Sequence, residues 1–158
     1  MRFVDHCLAV ADAHLALLEV VRTTAFSLSA VETEPRCWRS YLGGYGNRET
    51  IKPDLAAVTV SANGEFEDRW FVEVDLGTEH PPTVLRKCQQ YESYRRTGQE
   101  QQRHGVFPLV VWVTRTENRA DKLDAAISES RALDQALYRI VTIGDLAALV
   151  ATGAGGAS

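Results

Sequence analysis

Three acids, Asp54, Glu73 and Asp75, stand where they can do chemistry together. Glu73 and Asp75 lie two apart in "FVEVDL", so the two-residue period of a strand puts both side chains on one face. Asp54 opens the preceding apolar run, "DLAAVTV", and the two runs read as neighbouring strands. Two or three carboxylates meeting at a sheet edge bind a hard divalent ion, which activates water and neutralises the charge of a phosphate. The competing reading is plain: acids alternating along a half-exposed strand also mark its solvent face. Lysine is scarce, with only Lys52, Lys87 and Lys122 in 158 residues.

The elements that must position these groups follow from periodicity and punctuation. Leu8, Ala11, Leu15, Leu18 and Val21 recur at helical spacing, which predicts an amphipathic helix over 4–22 with that stripe facing inward. The stretch 23–50 alternates weakly and is broken by Pro35, Gly43, Gly44 and Gly46, so a short strand or helix followed by a loop is expected. "IKPDLAAVTV" and "WFVEVDL" flank Asn63-Gly64 and predict a β-hairpin. Pro81 and Pro82 suit a helix's first turn, and "TVLRKCQQYESYRR" carries that helix to Arg96. A polar loop is expected next. "VFPLVVWVT" reads as a central strand covered on both faces, followed by a helix over 119–133, a strand at "YRIVTI" and a helix opened by Gly144-Asp145. The order is that of an α/β (α+β) protein with a single domain over 1–150 and a loose, disordered tail over 151–158.

Composition narrows the partners. The net charge of −4 excludes coating nucleic acid through bulk positive charge, so any contact must be local. Residues 65–79 carry six acids against one base, a net of −5, whereas residues 86–104 carry five bases against two acids, a net of +3. An acidic strand end beside a basic helix is the arrangement of a metal site next to a phosphate-binding surface. Cys7, Cys37 and Cys88 have no paired spacing and read as small apolar residues. His6, His14, His80 and His104 lack ligand spacing and receive no role. No apolar run approaches the roughly 20 residues of a membrane helix and no signal segment is visible, so no membrane partner and a cytoplasmic location are expected.

The hairpin opened by Pro53-Asp54, the strand carrying Glu73, and the helix and strand that follow resemble the PD-(D/E)XK nuclease superfamily. The resemblance implies a restriction-endonuclease-like mixed sheet with a central β-hairpin, flanked by helices. It also implies Asp54 and Glu73 as ligands of Mg2+ or Mn2+, with a lysine polarising the attacking water. The strand departs from the superfamily pattern because Asp75 occupies the lysine position, as a third ligand or a repelling charge. The lysine then comes from the next helix, as Lys87. On that helix Val84, Cys88 and Tyr91 read as the inward stripe, Lys87 and Tyr94 share one flank of it, and Gln90 and Tyr94 match a Q-x-x-x-Y spacing that some branches carry. Arg86, Arg95 and Arg96 are the candidate DNA contacts, and Glu34, in competition with Glu32, matches an acid upstream of the Pro-Asp motif.

More narrowly, "IKPDLAAV", "WFVEVDLGTE" and "RKCQQYESYRR" are similar to the replication-relaxation family of actinobacterial plasmids and mobile elements. That resemblance implies a part in replication control. It also implies a winged-helix region before this domain, which a chain starting at this first helix is expected to lack. Three functions stay open at this point. The first is a metal-dependent DNA nuclease. The second is a non-catalytic module binding DNA or a partner protein. The third is a subunit that needs a winged-helix or replication protein on another chain. An open sheet edge can also pair into a homodimer, although nothing in these residues requires it.

Overall fold

The structure is a computed structural model and describes residues 2–23 and 26–155. Its centre is a five-stranded mixed sheet of β1 (Ser27–Thr33), β4 (Leu55–Val60), β5 (Glu67–Asp75), β6 (Leu109–Thr114) and β7 (Tyr138–Thr142), in that spatial order. β1, β4 and β5 pair antiparallel, while β5, β6 and β7 run parallel. Each parallel step needs a crossover, supplied by α2 (Pro81–Arg96) with α3 (Gln99–His104), and then by α4 (Glu117–Glu129). β2 (Arg39–Leu42) and β3 (Arg48–Ile51) form a separate two-stranded hairpin.

Alternation along β4 and β5 sends side chains into two layers. Leu55, Ala57, Trp70 and Val72 pack under α1 (Arg2–Thr23) and α5 (Leu146–Thr152), with Val111 and Val113 of β6 completing that core. Ala56, Phe71, Val110 and Trp112 face the opposite way, against Val84, Cys88, Tyr91 and Tyr94 of α2 and Leu123 and Ile127 of α4. Glu73 and Asp75 share the parity of Phe71 and therefore point toward the α2 and α4 layer.

Five sequence expectations are corrected. In α1 the buried stripe is Ala13, Leu17 and Val20, whereas Leu8, Leu15, Leu18 and Val21 are exposed, Leu8 by 60% and Leu15 by 59%. The helix is apolar around most of its circumference, so its periodicity fits two faces, and the small Ala13 and Ala16 lie on the one that packs into the core. The stretch 23–50 holds three strands instead of one short element and a loop. The expected polar loop after α2 contains α3, which the absence of apolar periodicity hid although Glu100 within it is buried. The helix expected over 119–133 runs over Glu117–Glu129, opened by the Thr116 side chain accepting from the Arg119 amide. At the C-terminus α5 continues through Thr152 and Ala154 packs on the α1 layer, and residues 156–158 lie outside the described residues.

The hairpin expectation around Asn63-Gly64 holds, with a turn longer than two residues. Ser61 N–H donates to the Phe66 carbonyl at 2.9 Å, and the Ser61 hydroxyl bonds Asn63 Oδ1 at 2.7 Å.

Candidate functional site

The site forms where β4 begins and β5 ends. Asp54 immediately precedes β4, and its N–H donates to the Val72 carbonyl at 2.9 Å, so its backbone is already locked to β5. Its side chain then turns along β5, where Oδ2 accepts the Val74 amide at 2.7 Å. Its other oxygen, Oδ1, lies 3.3 Å from Nε2 of His6 in α1. Glu73 is 1% exposed. Its Oε2 accepts from the Lys87 ammonium at 2.8 Å and its Oε1 from the Tyr91 hydroxyl at 2.6 Å. Lys87 and Tyr91 are four apart on α2, which puts them one turn above each other on a single helix face. Lys87 also lies 5.8 Å from the centroid of the Trp112 ring.

Asp75 has a different partner. Arg119, in the first turn of α4, grips it with two parallel bonds, Nε to Oδ2 at 2.7 Å and Nη2 to Oδ1 at 2.9 Å. The same Nη2 donates to the Glu79 carbonyl at 2.6 Å, and the Gly77 amide donates to Asp75 Oδ2 at 3.0 Å. The clamp thus holds the loop that leads into α2, and with it the start of the helix that carries Lys87.

The electrostatics follow from burial. Glu73 is pushed up to about 7, chiefly by loss of water and further by the Asp54 charge, against the pull of Lys87 and Tyr91. Asp54 is raised as well, by burial first, against the Val74 amide, His6 and Lys87. Burial alone would depress the Lys87 ammonium, but the Glu73 carboxylate outweighs it and the net direction is up. Two crowded carboxylates whose ionisation is disfavoured make a site that added positive charge relieves. Beside them a cavity of about 300 Å³ opens, lined by Arg2, Phe3, His6, Thr78, Lys87 and Trp112 among others.

Among the described residues no three His, Cys, Asp or Glu side chains gather at metal-ligand spacing. The donors that do converge are Asp54 and Glu73, each hydrogen bond occupying one lone pair of an oxygen that has two. One or two carboxylates, with water and substrate phosphate completing the shell, are what Mg2+ uses, and Asp54 and Glu73 are the residues that could supply them.

The replication-relaxation family model matches residues 1–110 of the 158. The chain belongs to the replication-relaxation family. No curated protein and no solved structure matches it.

In this replication-relaxation protein the match takes in Asp54, Glu73, Asp75, Lys87 and His6, and it stops before Trp112 and Arg119. The structure thus brings Asp54, Glu73 and Lys87 to one point and turns Asp75 to α4. Gln90 and Tyr94 are directed elsewhere: Gln90 is exposed, and the Tyr94 hydroxyl donates to Glu100 at 2.7 Å. Of the two upstream acids, Glu32 is paired with Arg39 at 2.7 Å, while exposed Glu34 is the one whose charge acts on Asp54. Arg86 and Arg96 are exposed on α2, and Arg95 is held by Glu92 at 3.1 Å and Asp134 at 3.0 Å.

Three residues of the site escaped sequence reasoning as site residues. His6 had no ligand spacing because its partner comes from another layer of the fold. Tyr91 was recognisable only as part of the inward stripe of α2, although its spacing of four from Lys87 was a usable signal. Arg119 lies 44 residues from Asp75, and no local pattern announces it.

Proposed function

We propose that this domain is a metal-dependent phosphodiesterase that acts on DNA in the replication of a plasmid or mobile element, built on a PD-(D/E)XK-like core. The observation that carries the reading is the 2.8 Å contact of Lys87 Nζ with Glu73 Oε2, a lysine supplied by α2 where the strand offers Asp75. Asp54 and Glu73 would hold Mg2+ or Mn2+, which when bound lowers the pKa of a coordinated water and neutralises phosphate charge. Lys87 orients the attacking water or the phosphate from the cavity wall. Tyr91 fixes the Glu73 carboxylate, and His6 and the Val74 amide fix that of Asp54. Arg86 and Arg96 on the exposed side of α2 supply backbone contacts, which position nucleic acid without reading its sequence.

A second reading draws support from the Asp75–Arg119 clamp, which ties up the acid at the motif-lysine position. In it the same fold binds DNA or a replication partner without cutting. Nicking of supercoiled plasmid with Mg2+ or Mn2+, run beside calorimetric titration of the ion, separates the two. Nicking by the wild type, lost in Asp54→Ala and Glu73→Ala together with ion binding and reduced about 100-fold or more in Lys87→Met, supports hydrolysis. Ion-independent DNA binding with no nicking replaces it with the second reading.

A further inference from the structure

The β2–β3 hairpin is the part of the molecule that the site does not use. Its root is rigid. Tyr41 is buried, its ring centroid lies 5.3 Å from that of Tyr94, and its hydroxyl donates to Glu49 at 2.7 Å. Ser40 and Thr50 bond across the strands at 3.0 Å, and buried Ile51 anchors β3 three residues before Asp54. Cys37 Sγ reaches the Pro53 carbonyl at 3.0 Å, so both legs of the hairpin are tied to the segment that presents Asp54.

Its tip is the reverse. The turn closes through Gly43 N–H to the Asn47 carbonyl at 2.8 Å and Gly46 N–H to the Gly43 carbonyl at 2.9 Å, with Gly46 at φ +78°. That φ suits glycine, and it leaves Tyr45 at the apex fully exposed, at 102%. Gly44 and Gly46 on either side of it face open space. Leu42 is 68% exposed beside it.

Charge points the same way. Residues 36–52 hold Arg36, Arg39, Arg48 and Lys52 against Glu49 alone, a net of +3 in a chain of net −4. Arg39 is spent on Glu32 and Glu100, but Arg48 and Lys52 are exposed, and the Lys52 ammonium stacks 4.5 Å over the Trp38 ring. A cavity of about 250 Å³ runs along the hairpin's flank, lined by Leu42, Arg48 and Gln99 with Ser40 and Tyr41. A bare aromatic ring set among cations has the chemistry of base stacking and phosphate contact. A protein interface would instead offer a contiguous apolar patch, and the glycines interrupt one here.

We infer that the β2–β3 hairpin is a nucleic-acid wedge whose Tyr45 stacks on an unpaired base, making DNA with an opened or single-stranded segment the preferred ligand. The inference rests on the DNA-processing reading above. Tyr45 is nine residues from Asp54, so at most about 30 Å separates them, within the length of one short DNA segment. Opened DNA is preferred because an intact duplex must first be unstacked before a ring can enter, whereas a base that is already unpaired costs little to engage.

The test is anisotropy of a fluorescein-labelled fork and of a blunt duplex of matching length, without divalent ion, using the full chain. Wild type should bind the fork more tightly. Tyr45→Ala should lose about 5- to 100-fold on the fork, Tyr45→Trp should restore the affinity, and the duplex should respond little. Equal fork binding by wild type and Tyr45→Ala, or no DNA binding by the wild type, overturns the wedge; the latter outcome leaves the tip as a protein contact. The nicking assay separates the two ideas. Tyr45-dependent binding without nicking keeps the wedge and removes the nuclease, and Glu73-dependent nicking that Tyr45→Ala leaves untouched does the reverse.

Discussion

Glu73→Gln should change how stability depends on pH, and the direction is fixed by which force on Glu73 prevails. Burial raises the carboxyl from 4.5 to about 7, while Lys87 and Tyr91 pull it back down. In the unfolded chain Glu73 loses its proton near pH 4.5, but the folded protein keeps that proton until about 7. The native state therefore binds more protons in that window, and the stability owed to this group is present below it and lost as pH rises through it. Two and a half pKa units at 1.36 kcal/mol each set an upper limit of about 3 kcal/mol. For a domain of this size that corresponds to about 6–12 °C in Tm. Gln keeps the shape of the side chain and an oxygen for Lys87 or Tyr91 but cannot titrate. Asp54, also raised, remains in both proteins, and because its charge and that of Lys87 act on Glu73, the difference reports Glu73 together with its coupling to those two groups. Urea unfolding from pH 4.5 to pH 8 should show the variant gaining on the wild type by up to about 3 kcal/mol as pH rises. Parallel curves would refute the reasoning. A wild type that gains on the variant would show that the Lys87 ion pair dominates burial and holds Glu73 low.

Two further substitutions test the architecture around the site. Leu17→Ala, on the buried stripe of α1, should cost about 2–5 kcal/mol by chemical denaturation, whereas Leu15→Ser on the exposed stripe should stay within about 0.5 kcal/mol. The reverse ranking would mean that α1 presents its other face to the sheet. Arg119→Ala strands the buried Asp75 carboxylate and should cost about 3–5 kcal/mol, most of it recovered when Asp75→Asn is added, since the neutral amide no longer needs the guanidinium. Equal thermal stability of wild type and Arg119→Ala would deny the clamp any part in holding the loop before α2.

What was legible in the sequence was local. The β4–β5 hairpin announced itself through Asn63-Gly64 between two β-rich runs, and the period of two placed Glu73 and Asp75 on one face, as the structure has them. Pro81 and Pro82 marked the start of α2, and its inward stripe of Val84, Cys88 and Tyr91 is the buried one. These features depend on interactions within a turn or a strand pair, so a short window contains their cause. The same argument located Asp54, Glu73 and Lys87 on the elements that the fold brings together.

Tertiary structure decided everything that depends on which surfaces meet. α1 is apolar on more than one face, and only the sheet and α5 select Ala13, Leu17 and Val20 over Leu8, Leu15 and Leu18. The three strands of 23–50 are short and weakly alternating, stabilised by pairing with β4 and with each other rather than by their own propensity. Most tellingly, Glu73 and Asp75 share a face and differ in company. Glu73 meets Lys87 and Tyr91 from α2, and Asp75 meets Arg119 from α4, 44 residues away. Residue types and the strand period set where carboxylates can point, but the partner that fixes each one's charge arrives through a helix crossing, and no local pattern encodes that.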